Sequence, residues 1–336
     1  MSRVRISSPA LKKKFIYMRI LTGTQCTGKL HIGNIVSTIL PTVKLSEDEK
    51  NDMFVFLADL HSLTTIKNAK ELEENRYYAA ACWSALGLNP QKITFYRQSK
   101  MRGICELTWI LNCLTPFPML ANAHAFKSKS EKLSDVNVGL FDYPVLMTAD
   151  ILLFQGELIP VGKDQKQHVE ITRDIAKKFN DTYEEIFKLP EALIDEKIQL
   201  VPGIDGQKMS KSYNNTIDIF AQKDILHKRI MSIKTDCKKP DEPKNPEECI
   251  IFKIYQSIAS DEEINNLRSK YLSGTIDYKS SKELLFETIL KVFSKARENF
   301  ERIDKGEIDN ILTKGEECAQ KVADETFYKI KKALLI

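Results

Sequence analysis

Leu21-Thr22-Gly23-Thr24-Gln25-Cys26-Thr27-Gly28-Lys29-Leu30-His31-Ile32-Gly33-Asn34 is the stretch whose reading decides the fold. Ahead of it, Met18 to Leu21 read as a short apolar strand; behind it, Ile35 to Leu40 read as the first turns of a buried helix. A strand, a loop of glycines and small polar residues, then a helix N-terminus is a phosphate-binding geometry. Backbone N–H groups point into the gap, and the helix dipole favours negative charge there. Two phosphate binders fit. Gly23 and Gly28-Lys29 have P-loop spacing, and Phe54 to Asp59 could supply the accompanying apolar strand and aspartate. Leu30, however, stands where a P-loop needs a hydroxyl for Mg²⁺. The other reading takes Leu30 to Asn34 as a nucleotide signature, with His31 and Asn34 facing phosphates and Gly33 letting a base lie against the backbone. The loop by itself leaves both open.

Gly206-Gln207-Lys208-Met209-Ser210-Lys211-Ser212, far downstream, breaks the tie. His31-Ile32-Gly33-Asn34 resembles the HIGH-type signature of the class I aminoacyl-tRNA synthetases. Lys208 to Ser212 is similar to that class's second signature, KMSKS, without a mismatch. Each string alone is short enough to arise by chance. The two in this order, about a Rossmann domain apart, are specific, because a motif counts only in its structural context.

The bulk properties permit this reading. The chain has 336 residues, enough for two ordinary domains, with 43% apolar and 29% charged residues as in soluble globular proteins. No apolar run approaches the length of a membrane span. Seven cysteines, odd in number and never in a C-x-x-C pair, argue against a disulfide framework and against zinc or iron–sulfur sites, and fit a reducing cytoplasm. The net charge of +4 permits RNA binding without demanding it. Residues 1–17 form a basic lead with Arg3, Arg5, Lys12, Lys13 and Lys14, and no acid occurs before Glu47. It is expected to be a disordered extension, with organelle targeting as the alternative.

Taken in order, Ser46 to Asp52 is a charged turn and Met53 to Ala58 a second buried strand. Asn68 and Glu71 have the spacing of a capping box and open a helix ending at Gly87. Lys92 to Tyr96 is a third strand. Alternating strand and helix predicts an α/β, Rossmann-type doubly wound parallel sheet over residues 18–206. A helical insertion near 101–142 interrupts it at Pro116 and Pro118. Tyr143 to Phe154 reads as an apolar helix with Pro144 in its first turn and Asp150 inside. Leu158 to Val161 is a fourth strand, the next helix runs to about Asn180, and Ile198 to Val201 is a fifth strand leading into the lysine-rich loop. Residues 207–336 carry that loop and a helical C-terminal domain, where Lys282 to Phe300 reads as one surface helix burying Leu285, Ile289, Val292 and Phe293.

Two kinds of residue carry chemistry. Attack of a carboxylate on the α-phosphate of ATP accumulates charge on phosphoryl oxygens, so cations and fixed donors are required. Lys208 and Lys211, with Ser210 and Ser212, meet that need; His31 can donate to a phosphate, and Asn34 keeps a donor but no charge. Asp150 is the other. A carboxylate in an apolar helix costs several kcal/mol unless satisfied, by an unseen Arg or Lys or by a substrate donor.

Leu146 to Leu153 together with Val161 to His168 resembles bacterial-type tryptophanyl-tRNA synthetases along an almost unbroken stretch. The resemblance implies that Asp150 accepts the indole N–H, that Met147 packs on the ring, and that Tyr143 and Gln165 hold the amino and carboxylate groups. His61, Ile159 and Val161 would line the pocket. Indole has one donor and no acceptor, so a lone carboxylate in an apolar wall selects it. The implied ATP contacts are Gln25, Cys26, Thr27, Gly33, Asn34, Gly162, Lys163, Asp164, Ile198, Lys208, Met209, Ser210, Lys211 and Ser212; Lys127 would be a further catalytic lysine. ATP with Mg²⁺, L-tryptophan and tRNA(Trp) are the implied substrates, and a homodimer the implied assembly. Leu21, Cys26 and Lys163 depart from the family's common residues. The rivals are a tyrosyl enzyme on the same fold and a paralogue that binds nucleotide or RNA without chemistry.

Overall fold

The computed structural model describes residues 18–123, 136–162, 165–194 and 201–336. Its centre is a five-stranded sheet in the order β3-β2-β1-β4-β5, parallel at every pairing. The strands are β1 (Met18–Gln25), β2 (Asn51–Ala58), β3 (Ile93–Arg97), β4 (Leu158–Pro160) and β5 (Glu191–Leu193). The order reverses between β1 and β4, and ligands of doubly wound sheets bind beyond the carboxyl ends of the strands at such a switch point.

β2 explains its own sequence. Met53 to Ala58 is an unbroken apolar run because both faces of a parallel strand are covered. Met53, Val55 and Leu57 pack in one core with Trp83 of helix α2 (Ala69–Ala85), while Phe54, Phe56 and Ala58 pack in a second core on the opposite face. That second core is closed by α3 (Ile104–Asn112), α4 (Val138–Leu153) and α5 (Lys166–Thr182). The first helix, α1, spans residues 32–45 and contains a π-helical stretch at Ile35–Ile39. Helix α2 starts as expected at Asn68, whose side chain accepts from the N–H groups of Lys70 and Glu71.

The edge at β3 is covered by the C-terminal helix α11 (Lys305–Leu334), numbered after α6 (Lys223–Met231), α7 (Ile250–Gln256), α8 (Asp261–Ser273), α9 (Tyr278–Val292) and α10 (Ser294–Arg302). Covering removes an open edge that would otherwise pair with another chain. Gly315 makes the approach possible, since a Cβ there would lie 1.9 Å from the Phe95 carbonyl oxygen. Arg97 on the same strand pairs with Glu316 and Asp309 of the helix. Gly315→Ala would gain about 1 kcal/mol of helix propensity, but the clash is with backbone, which cannot step aside. A net loss of about 2 kcal/mol is expected from overpacking, read as a lower urea midpoint; an unchanged or raised midpoint would show that the contact is slack.

Several expectations are corrected. β1 does not stop at Leu21 but runs to Gln25, so Gly23 is a strand residue pressed on the Phe56 ring and not the first glycine of a P-loop. The fifth strand is Glu191–Leu193, whose register against β4 pairs Ile159 with Ala192. Ile198 to Leu200 lie outside the described residues, and Val201 is not in a strand. Helix α4 starts at Val138, capped by Asn137, which places Pro144 inside it. The residue lacks an N–H for the preceding turn, and the helix continues because both faces are packed. The stretch Lys282 to Phe300 is two helices, α9 and α10, that meet at Phe293. Leu285, Ile289 and Phe293 are buried there, but Val292 is exposed.

Candidate active site

Beyond β1 the chain leaves the sheet at Cys26. Its N–H is held by the Ser62 hydroxyl at 2.8 Å, and the thiol points into the core, where burial pushes its pKa up to about 12. Cys26 is wholly buried with its N–H already bonded, so its sulfur is not offered to a ligand. Gln25 is exposed and Thr27 half-buried at the loop's mouth. Gly28 adopts φ +130, a conformation L-residues rarely take, and a Cβ on it would lie 3.2 Å from Lys211 Cδ. The loop thus leaves room for a side chain arriving from almost two hundred residues away.

That side chain is Lys211, whose Nζ donates to the Gly28 carbonyl at 2.7 Å. The Ile32 N–H donates to the Ile217 carbonyl at 2.9 Å. Met209 is buried, and its Sδ would be 3.7 Å from a Cβ on Gly33. The two signature loops, separate in sequence, therefore form one surface. Ser210 N–H donates to the Asn215 side chain at 2.7 Å, which pins the second loop; Lys208 is exposed. Lys29, the would-be P-loop lysine, instead lies outside, 3.7 Å from Asp218 and over the Tyr78 ring.

His31 caps α1. Its Nδ1 accepts the Asn34 N–H, and the Asn34 side-chain oxygen accepts the His31 N–H, both at 3.3 Å. With Nδ1 an acceptor, the imidazole proton sits on Nε2. Burial first, and the Lys211 charge second, lower the His31 pKa to about 4, so the ring is a neutral donor. Asn34 spends its oxygen on the cap and keeps its Nδ2 donor.

Burial lowers the Lys211 pKa from the ordinary 10.5 to about 8. The cation is the useful form, so kcat/KM for ATP, which reports the free enzyme, is expected to decline as pH rises through about 8. Stability responds with the opposite sign. Between about 8 and 10.5 the unfolded chain keeps a lysine proton that the native state has lost, so the burial penalty is complete below pH 8 and is relieved as pH rises through that window. The denaturant midpoint of wild type should accordingly rise relative to that of Lys211→Ala as pH goes from about 8 to 10.5. A midpoint that falls relative to the variant over that window would contradict the assignment.

The second subsite lies behind the first, linked to it by Ser62, the neighbour of His61. Asp150 is 1% exposed. Its partner is neither arginine nor lysine: His61 Nε2 lies 2.8 Å from Oδ2, and Gln98 Nε2 donates to both oxygens at 2.8 Å. Burial raises the Asp150 pKa, with the His61 and Gln98 hydrogen bonds opposing it. An ionised carboxylate has about four acceptor sites, and the three contacts made by described residues leave one direction, on Oδ1, for a further donor. Tyr143 stands edge-on to the His61 ring at 5.7 Å, and its hydroxyl is 2.8 Å from His168 Nε2 and 3.5 Å from Gln165 Oε1. Met147 is half-buried one turn before Asp150, Ile159 is buried on β4, and Val161 follows it with its N–H on the Leu193 carbonyl. Leu21 is buried on β1 in the same core. Gly162 is exposed. Lys127, Lys163, Asp164 and Ile198 lie outside the described residues, as does the side chain of Ser212.

Sequence reasoning missed Gln98, Ser62 and His168. Gln98 follows β3 as Gln-Ser-Lys in a polar turn that reads as solvated loop. Its burial, complete at 0% exposure, is invisible until the sheet order brings β3 near α4.

A switch-point loop bearing a neutral histidine and an inserted lysine, with a buried carboxylate behind it, defines a class I tRNA synthetase. Residues 15–294 match the family described as tRNA synthetases class I (W and Y), and the chain belongs to it. The tryptophan–tRNA ligase of Fusobacterium nucleatum subsp. nucleatum is 46% identical over 318 residues, covering 94% of this chain and 96% of that protein. The tryptophan–tRNA ligase of Campylobacter jejuni is 44% identical over 93% of this chain and 98% of its own length. A crystal structure of the Campylobacter jejuni tryptophanyl-tRNA synthetase complexed with ADP and tryptophan superposes with a TM-score of 0.88 at 43% identity, covering 95% of this chain and 100% of that one.

Proposed function

We infer that the chain is a tryptophan–tRNA ligase. It joins L-tryptophan to ATP as tryptophanyl-adenylate with release of pyrophosphate, then transfers tryptophan to the 3′ end of tRNA(Trp). The observation that carries the amino-acid choice is the buried Asp150 carboxylate, held by His61 and Gln98 with one acceptor direction left over among the described residues. A phenylalanine side chain would offer that direction no donor, and a buried acceptor left unpaired costs about 1–3 kcal/mol.

Tryptophan's carboxylate oxygen attacks the α-phosphorus and the bond to the pyrophosphate oxygen breaks. Negative charge grows on the phosphoryl oxygens and the leaving group. His31 Nε2–H is a fixed donor for that charge, and the Lys211 ammonium is a donor already held at the loop. Lys211 exchanges the Gly28 carbonyl for a phosphate oxygen, and Lys208 adds a second cation from the exposed side of the loop. Mg²⁺ enters with the nucleotide as part of the substrate. Tyr143, Gln165 and His168 form a polar cluster suited to the amino group of tryptophan. Gln25, Thr27, Asn34 and the backbone at Gly33 and Gly162 are the nucleotide contacts in this reading.

A domain division at 206/207, with the signature loop at the junction, is part of the same reading. Trp109, Phe117 and Val138 expose 70%, 70% and 80% of their surface on neighbouring elements. Exposed apolar patches of this kind mark association surfaces, which supports a homodimer; Trp109→Glu is expected to shift sedimentation to the monomer. All seven cysteines are free thiols, in keeping with a cytoplasmic enzyme. Among the described residues no helix is long and apolar enough to cross a membrane.

Amino-acid-dependent pyrophosphate–ATP exchange tests the reading. Exchange with tryptophan and near-background rates with tyrosine and phenylalanine are expected. Preference for tyrosine would move the chain to the sister specificity, and no exchange with any amino acid would make it a paralogue without chemistry.

A further inference from the structure

We propose that Gln98 is the positioning residue that sets tryptophan specificity, by locking the Asp150 carboxylate to the backbone turn that carries His61. The proposal deepens the tryptophan reading above and rests on it. Gln98 is fully buried. Its Nε2 donates to both Asp150 oxygens at 2.8 Å, while its Oε1 accepts the N–H groups of Leu60 at 3.0 Å and His61 at 3.3 Å. One side-chain amide thereby spends both ends on the site: one on the carboxylate, the other on the first turn of the segment Asp59–Ser62. The Asp150 carboxylate cannot turn, nor the backbone at Leu60 and His61 shift, without breaking a bond to it.

This division of labour has a chemical reason. A buried carboxylate beside a histidine alone could take either of two protonation patterns, and a protonated Asp150 would offer a donor where indole also offers one. A donor nitrogen that never titrates, shared between the two oxygens, holds both as acceptors. Gln98 need not touch tryptophan to do this; it acts through Asp150.

The groups that bear on this carboxylate are His61 in direct contact, Asp59 at the start of the same turn, Tyr96 on β3 and Cys105 at the start of α3. Asp59 is itself engaged by the Ser99 N–H at 2.9 Å and by Arg76 at 3.2 Å, and its charge adds to the upward push on the Asp150 pKa.

Two variants test the proposal. Gln98→Met keeps volume and removes both hydrogen-bonding ends. In pyrophosphate exchange, the wild-type preference for tryptophan over its benzothienyl analogue, which lacks the ring N–H, should fall by about tenfold or more in the variant, with KM for ATP unchanged. A residue that only supports folding would lower both substrates together and leave the ratio intact, and that result overturns the proposal. Gln98→Glu covers the case in which the methionine variant does not fold. It keeps the acceptor for the Leu60 and His61 N–H groups, but faces Asp150 with a second carboxyl, and the pair must share a proton to coexist. Tryptophan binding by equilibrium dialysis should then be near wild type at pH 6 and weaken about tenfold or more relative to wild type by pH 8.5, as that proton is lost. A variant-to-wild-type ratio flat across pH would overturn it equally. Absence of tryptophan exchange in the wild type itself would instead strike the functional reading, so the two failures are told apart.

Discussion

Asp150→Asn is expected to lower kcat/KM for tryptophan about 10²-fold in pyrophosphate exchange, chiefly through KM, with KM for ATP unchanged. The carboxylate serves three contacts from described residues with two oxygens, and all of them are donors. Asparagine supplies one oxygen and turns the other position into an N–H₂ facing His61 Nε2 or Gln98 Nε2. A hydrogen bond to a charged acceptor contributes about 1.5–3 kcal/mol, and each 1.4 kcal/mol is a factor of ten. Losing the charge on the indole contact and misdirecting one donor therefore places the effect near two decades. Stability should move in the other direction or little, because a neutral side chain escapes the burial penalty that raises the Asp150 pKa. If the variant lost stability but kept its tryptophan preference, Asp150 would be a structural group and the amino-acid assignment would fall.

Lys211→Ala is expected to cut kcat for adenylate formation by about 10²–10³ while sparing KM for tryptophan. Removing one preorganised donor at developing negative charge typically costs that much, and Lys211 is partly desolvated with its Nζ already 2.7 Å from the loop that would cradle the phosphates. Lys29→Ala makes the contrast. Its side chain is 67% exposed, and it meets Asp218 at 3.7 Å and the Tyr78 ring at 5.5 Å. An exposed ion pair contributes about 0–1 kcal/mol, so less than a tenfold change should follow. Reversal of the two effects would restore the P-loop reading that the path of β1 otherwise excludes.

Much of this was legible in the chain itself. The apolar run Met53 to Ala58 reads as a buried strand, and the alternation of strands and helices implied a parallel sheet. The signature strings named the class because each keeps its residues contiguous: His31 to Asn34 form one cap, and Lys208 to Ser212 one loop. Where local pattern failed, the reason was tertiary. Strand β1 continues through Gly23 in register with β2, and there Phe56 on the next strand takes the space a side chain would fill. Pro144 sits inside a helix that packing sustains, and Glu191–Leu193 pairs with β4 despite an unremarkable sequence.

Sequence by itself determined the fold class, the two signature loops and the presence of a carboxylate in an apolar helix, because these rest on short-range periodicity and on contiguous motifs. It left the partner of that carboxylate open between a salt bridge and a substrate. Among the described residues the tertiary structure supplies neither arginine nor lysine, but brings Gln98 from β3's end and His61 from β2's end onto one face of α4. Hydrogen bonds between residues 37 to 89 positions apart depend on strand order, which no local pattern encodes.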